Sequence, residues 1–261
     1  MSAARLQRPL TLPDIVSAAF QLYMHDPLTF LVLALPKAAF VLALSLGNVA
    51  LFDALGISSK TSSDARISGG TLALTALTII GFSILSIGSD AFGDSFLVPA
   101  ALAALQRRSC GVRAALVCWR PLAGAAIVVS LLIGVRVAVT ALTVLLVPVA
   151  VFLYVRWSLA MPALFAERRG GAASLTRSAA LVSGSWWRVF GIVVAIGALT
   201  LAPQAGLQRA FDGADTLVSA AVIFVAAWLV APFAAIARTL LYLDVLQRKG
   251  ATAQPPSSLA S

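Results

Sequence analysis

Polar positions are sparse along this chain, and they gather into short clumps. Between the clumps lie six long apolar stretches: approximately Pro27 to Leu51, Gly70 to Leu105, Leu122 to Leu145, Val147 to Phe165, Trp187 to Ala205 and Thr216 to Val245. A helix needs roughly 20 apolar residues to cross a hydrocarbon core of ~30 Å. The pattern therefore predicts an all-α integral membrane protein with six transmembrane helices. The second stretch is about 54 Å long at helical rise, so it must tilt, kink at Pro99 or project beyond the bilayer. Only a tight turn at Pro148 is expected between the third and fourth.

A short amphipathic segment precedes the first, third and fifth stretches. In TLPDIVSAAFQLY, Thr11 and Asp14 make a capping-box pattern, and Ile15, Ala18, Ala19 and Leu22 share one face. In GVRAALVCWR, Val112, Ala115, Leu116 and Trp119 align; in AASLTRSAALVSGSWW, Leu175, Ala179 and Val182 do so. These segments predict three cytoplasmic interfacial helices. The second, fourth and sixth stretches end in similar strings: LQRRSCG at Leu105 to Gly111, AERRGGA at Ala166 to Ala172, and LQRKGA at Leu246 to Ala251. Together they suggest a threefold repeat of an interfacial helix followed by a helical hairpin. The domain reading is a cytoplasmic N-terminal segment over 1–26, a six-helix membrane domain over 27–249 and a disordered cytoplasmic tail over 250–261.

Charge orients this arrangement. Of the 19 Lys and Arg residues, twelve fall on one side: Arg5, Arg8, Arg107, Arg108, Arg113, Arg120, Arg168, Arg169, Arg177, Arg188, Arg248 and Lys249. The other side has three, Lys60, Arg66 and Arg209. The positive-inside rule then predicts both termini in the cytoplasm. Only 11% of the residues are charged, less than half the ~25% of soluble domains. The net charge of +9 sits beside apolar spans, where it attracts anionic lipid headgroups rather than nucleic acid. The first apolar run is too long for a signal-peptide core, so it is expected to serve as an uncleaved targeting signal. Cys110 and Cys118 share a segment placed in the reducing cytoplasm, which argues against a disulfide or zinc site.

Several stretches resemble the glycerophosphoryl diester phosphodiesterase membrane-domain family, a bacterial six-span group. They are RPLTLPDIVSAAFQLYMHDPLTFLVLALP, AALAALQRRSCGVRAALVCWRPL, RWSLAMPALFAERRGGAASLTRSAALVSGSWWRVFGIV and TLLYLDVLQRKG. The third is the most specific, with Arg156, Pro162, Glu167, Arg177, Ser178 and Trp187 at positions the family emphasises. Gln106 stands where the family tends to have Gly. The resemblance implies a multi-pass protein of a bacterial plasma membrane. It does not imply hydrolysis, because the family name describes a domain attached to some phosphodiesterases.

The residues themselves point away from an enzyme. Glycerophosphodiester hydrolysis needs metal-binding carboxylates and paired acid–base groups, yet His25 is the only histidine. No HExxH, GxSxG or phosphate-loop motif occurs, and no cofactor or metal is expected. Trp119, Trp186 and Trp187 read as interfacial belt anchors. The informative polar residues lie inside the spans: Lys37, Asp90, Asp94, Arg136, Arg156 and Arg238. Charge in hydrocarbon is costly and usually faces a partner or a wet cavity. Asp90 and Asp94 share a helix face. The expectation is one intramembrane cluster of Asp90, Asp94, Arg156 and Arg238, with an aspartate paired to Arg156, or to Arg238 if helix depth forbids that. The reading is a tightly paired, structural cluster in a non-enzymatic membrane scaffold or lipid-interacting module that partners a lipid-active enzyme, with transport as the alternative. A wet cavity ending at the aspartates would suit a transporter or channel-like protein.

Overall fold

The computed structural model describes residues 10–54, 69–106, 111–142, 146–168, 170–211 and 215–250. Among them every regular element is helical: α1 (Leu12–His25), α2 (Pro27–Ala54), α3 (Gly69–Leu105), α4 (Val112–Trp119), α5 (Ala123–Leu142), α6 (Val147–Trp157), α7 (Ala160–Glu167), α8 (Gly171–Val182), α9 (Trp186–Ala210) and α10 (Thr216–Arg248). Five segments among the described residues are long and apolar enough to cross a membrane: Pro27–Leu51, Val112–Thr140, Val147–Glu167, Trp186–Ala210 and Leu217–Arg248. Their outward faces are apolar too. Leu46, Val49, Leu131, Val139, Leu201 and Leu217 are all exposed, a burden of apolar surface that a water-soluble body does not carry. Among the described residues the protein is all-helical, and its five long apolar helices mark it as membrane-embedded.

The element boundaries have local causes. The α1 capping box forms as its sequence predicts: the Thr11 amide and hydroxyl donate to the Asp14 carboxylate at 2.9 and 2.5 Å. Pro148 does not make the turn expected there: it occupies the first turn of α6, where a missing N–H costs nothing. Instead, the fourth apolar stretch breaks at Ser158 and Leu159. Pro162 explains the break: it cannot donate to the Ser158 carbonyl four residues back, and its ring crowds that carbonyl. Ser158 turns back, its amide and hydroxyl both donating to the Val155 carbonyl at 3.3 and 2.8 Å. Pro36, Pro99, Pro203 and Pro232 lie within continuous helices. Gly184, at φ +80° between α8 and α9, holds a left-handed turn that a β-carbon would strain.

The amphipathic helices are packed rather than free. α1 buries Ile15, Ala18, Ala19 and Tyr23. It runs antiparallel to the second half of α10, with the Leu10 amide on Asp244 at 2.7 Å and the Tyr23 hydroxyl on the Leu229 carbonyl at 3.2 Å. Burial pushes the Tyr23 phenol above its ordinary pKa, which keeps it a donor. α4 buries only Ala115; Leu116, expected on its inner face, is exposed. Trp119 makes an inter-helix contact. Its ring stacks on Phe96 at 4.4 Å and its indole N–H donates to the Ser95 hydroxyl at 2.9 Å. Trp186 also stacks inward, between Phe152 and Phe190, while Trp187 is exposed. α3 and α5 cross closely at glycine: a β-carbon on Gly134 would lie 2.7 Å from the Ile84 carbonyl oxygen. Small residues at a crossing are how membrane helices gain packing without a hydrophobic drive. The segments with Lys60, Arg66, Arg107, Arg108, Cys110 and Arg169, and the tail over 251–261, lie outside the described residues.

Candidate functional site

Four charged side chains meet where α2, α3 and α10 adjoin. Lys37 reaches across α3, its Nζ 3.1 Å from Asp90 Oδ1 and 3.1 Å from Asp94 Oδ1. Arg238 Nη1 donates to the other Asp94 oxygen, Oδ2. Its Nη2 lies 3.4 Å from the Tyr154 hydroxyl on α6. Two cations and two carboxylates cancel, so the group as a whole is neutral. Asp94 is 3% exposed and Lys37 8%, a depth at which an unpaired charge would be severely penalised.

The position of Lys37 depends on Gly93. A β-carbon there would fall 2.5 Å from Lys37 Cγ and Cδ and 2.7 Å from its Cβ. These atoms belong to the stem of the side chain and cannot swing clear as its tip could. Gly93 therefore supplies the groove through which Lys37 passes to reach both aspartates.

Asp90 is the less enclosed member, with about half of its side chain exposed. It faces a cavity of about 300 Å³ lined by α2, α3, α6, α9 and α10. Lys37, Asp90 and Arg238 form one end of that cavity, and Ser45, Ser86, Ser89, Thr200 and Gln204 put polar groups on its walls. A smaller space of about 30 Å³ lies against Asp94, Tyr154, Ser158 and Arg238, next to the break between α6 and α7.

Arg156 is not part of this cluster, contrary to the sequence reading. Tyr154 faces the ions, and a residue two positions on points about 200° around the helix. Arg156 is accordingly exposed on the opposite side of α6, in a groove it shares with Arg136. Lys37, singled out in the sequence but left outside the cluster, occupies the place given to Arg156.

The family-junction residues fasten helices to one another. The Arg177 Nε donates to Glu167 Oε1 at 2.8 Å, and the Tyr242 hydroxyl donates to the same oxygen at 2.9 Å. This ties α7, α8 and α10 together. The Ser178 hydroxyl donates to the Arg156 carbonyl at 2.8 Å, satisfying an acceptor that the α6 terminus leaves open.

One further ionic centre was not singled out in the sequence. Asp244, fully buried on α10, accepts the Leu10 amide, Arg188 Nη1 at 2.6 Å and Arg248 Nε at 3.1 Å. Arg188 Nη2 donates to the Leu10 carbonyl at 2.7 Å. Both backbone groups of Leu10 are thus held by side chains from α9 and α10. The available signal was a lone aspartate amid apolar residues in TLLYLDVLQRKG, four residues before Arg248. No family model, no curated protein and no solved structure matches this chain.

Proposed function

We propose that this is a non-enzymatic, transporter- or channel-like protein of a bacterial plasma membrane that admits a small polar solute to the cavity ending at Lys37, Asp90 and Arg238. One observation carries the reading: ionised groups in a membrane-embedded bundle face a space of about 300 Å³ whose mostly apolar wall carries hydroxyl and amide groups. Charge within a span is expensive and marks solute or ion pathways when it borders such a space. The neutral sum of the quartet favours a dipolar or zwitterionic solute over a net-charged ion, because either sign of net charge would meet a like charge at the cavity end.

The proposed architecture has six spans, with α3 as the sixth, and both termini in the cytoplasm. The element order supports a threefold repeat, since a short helix followed by a hairpin occurs as α1–α2–α3, α4–α5–α6/α7 and α8–α9–α10. An interfacial setting for α1 is supported by an exposed apolar stripe of Phe20 and Met24, four positions apart on that helix. The same stripe favours the second reading, a lipid-interacting scaffold that partners a lipid-active enzyme and uses the quartet only to hold its helices. Membership in the glycerophosphoryl diester phosphodiesterase membrane-domain family is proposed on the four quoted stretches. No phosphodiesterase activity is expected of the purified chain.

Cysteine accessibility separates the two readings. With Cys110 and Cys118 replaced by Ser, Ser86→Cys and Thr200→Cys should react with a small water-soluble methanethiosulfonate reagent in intact membranes. Leu131→Cys, facing lipid, should not. If both cavity positions are as inert as Leu131→Cys from either side, the space is dry and the scaffold reading replaces the transport one.

A further inference from the structure

We infer that the groove between α5, α6 and α8 is a binding site for the phosphate of an anionic phospholipid. The carrying observation is a contrast among the cations inside the spans. Lys37 and Arg238 each meet a carboxylate. Arg136 and Arg156 meet none among the described residues, and both line the same groove of about 570 Å³. Arg136 is stacked over the Trp157 ring, 5.4 Å from its centroid, a contact that orients a guanidinium without neutralising it. Arg156 has no side-chain hydrogen bond or ion pair among the described residues.

Two cations within apolar helices call for an anion from outside the chain. The groove suits a phosphate with acyl chains attached. Thr176 and Ser183 add hydroxyls beside the two guanidinium forks, while Leu132, Leu153 and Leu175 supply an apolar wall. Arginine forks match phosphate oxygens two at a time. Among the described residues no acidic side chain lines the groove, so nothing there would receive the ammonium of a zwitterionic headgroup. That favours a phosphatidylglycerol-type lipid over phosphatidylcholine. Lys249, whose ammonium donates to the Ala180 and Ser183 carbonyls at 2.6 and 2.8 Å, adds positive charge at the α8 end. This site is separate from the solute cavity and does not depend on the transport reading.

The test uses the full chain in detergent or nanodiscs, with spin-labelled phosphatidylglycerol and spin-labelled phosphatidylcholine as probes. The motionally restricted signal should favour phosphatidylglycerol. Arg156→Gln removes a guanidinium that supports no other contact, and should weaken that selectivity by roughly ten- to hundred-fold, the range for one charge-assisted hydrogen-bonding group. Arg136→Lys keeps the charge and loses the fork, and should fall between the wild type and Arg136→Gln. Unchanged thermal unfolding of Arg156→Gln shows that the loss is local. Equal selectivity in the wild type and Arg156→Gln overturns the proposal. So does full displacement of the lipid by inorganic phosphate, which would make the groove a soluble-anion site.

Discussion

At the residue scale, the quartet is controlled as much by a missing side chain as by the charged ones. Gly93→Val should drive the Lys37 stem off α3 and leave the two aspartates short of a counter-ion. Breaking a buried pair costs about 3–5 kcal/mol, so a clear drop in apparent melting temperature and folded yield is expected on size-exclusion chromatography. Adding Lys37→Ala should relieve the clash but not the charge imbalance, and adding Asp90→Asn to that pair should recover part of the loss. A Gly93→Val protein as stable as the wild type would mean that Lys37 does not cross at that point. The sequence made Asp90, Asp94 and Arg238 legible, because charge stands out against apolar spans and the i, i+4 spacing fixes a shared face. It could not choose between Lys37 and Arg156. That choice depends on how α6 is rotated about its axis, and rotation is set by packing of Tyr154 and Trp157 against other helices. Gly93 carried no signal at all, because a glycine that clears a path reads like any other.

At the element scale, the short helices are where periodicity succeeded and context intervened. α1 and α8 bury faces close to those their spacing predicts, with Tyr23 turned inward on α1 and two serines, Ser174 and Ser178, inside α8. α4 turns Val112, Ala115 and Trp119 inward as its spacing predicts, and Leu116 alone of that face departs. The break between α6 and α7 was written in the sequence as Pro162, but a proline within an apolar run marks either a kink or a new start. Here it lies in the first turn of α7, where the helix has no use for its N–H. The docking of α1 gives a test at this scale. Asp244→Ala leaves Arg188 and the Leu10 amide without their acceptor and should cost about 3–5 kcal/mol. Hydrogen exchange should rise across α1 while α5 and α6 stay protected. Uniform exchange across the molecule would show that Asp244 stabilises the whole bundle and not one helix.

For the whole molecule, apolar length and the exclusion of charge were enough to read an all-helical, membrane-embedded chain. Helix order follows directly from that. Side-to-side arrangement does not, because lipid-facing and protein-facing apolar residues look alike when the solvent is hydrocarbon. Orientation rests on the twelve-to-three charge asymmetry. Reporter fusions are expected to place both termini and segments 107–120 and 168–186 in the cytoplasm; an external location for 168–186 would remove the six-span arrangement. The grip on Leu10 carries a consequence for how the protein is made. Its partner, Asp244, lies 234 residues further along. At ribosomal speeds of 5–20 residues per second, that is a wait of roughly 10–50 s. Throughout that interval α1 has only α2 and α3 beside it and lacks α10, its main partner, and the nearest surface that accepts the rest of its apolar face is the bilayer itself. A nascent chain arrested before residue 216 should therefore keep α1 open to interfacial photolabelling, and release of the last helix should close it. α1 leaves the ribosome long before α10, yet it is among the last to reach its place.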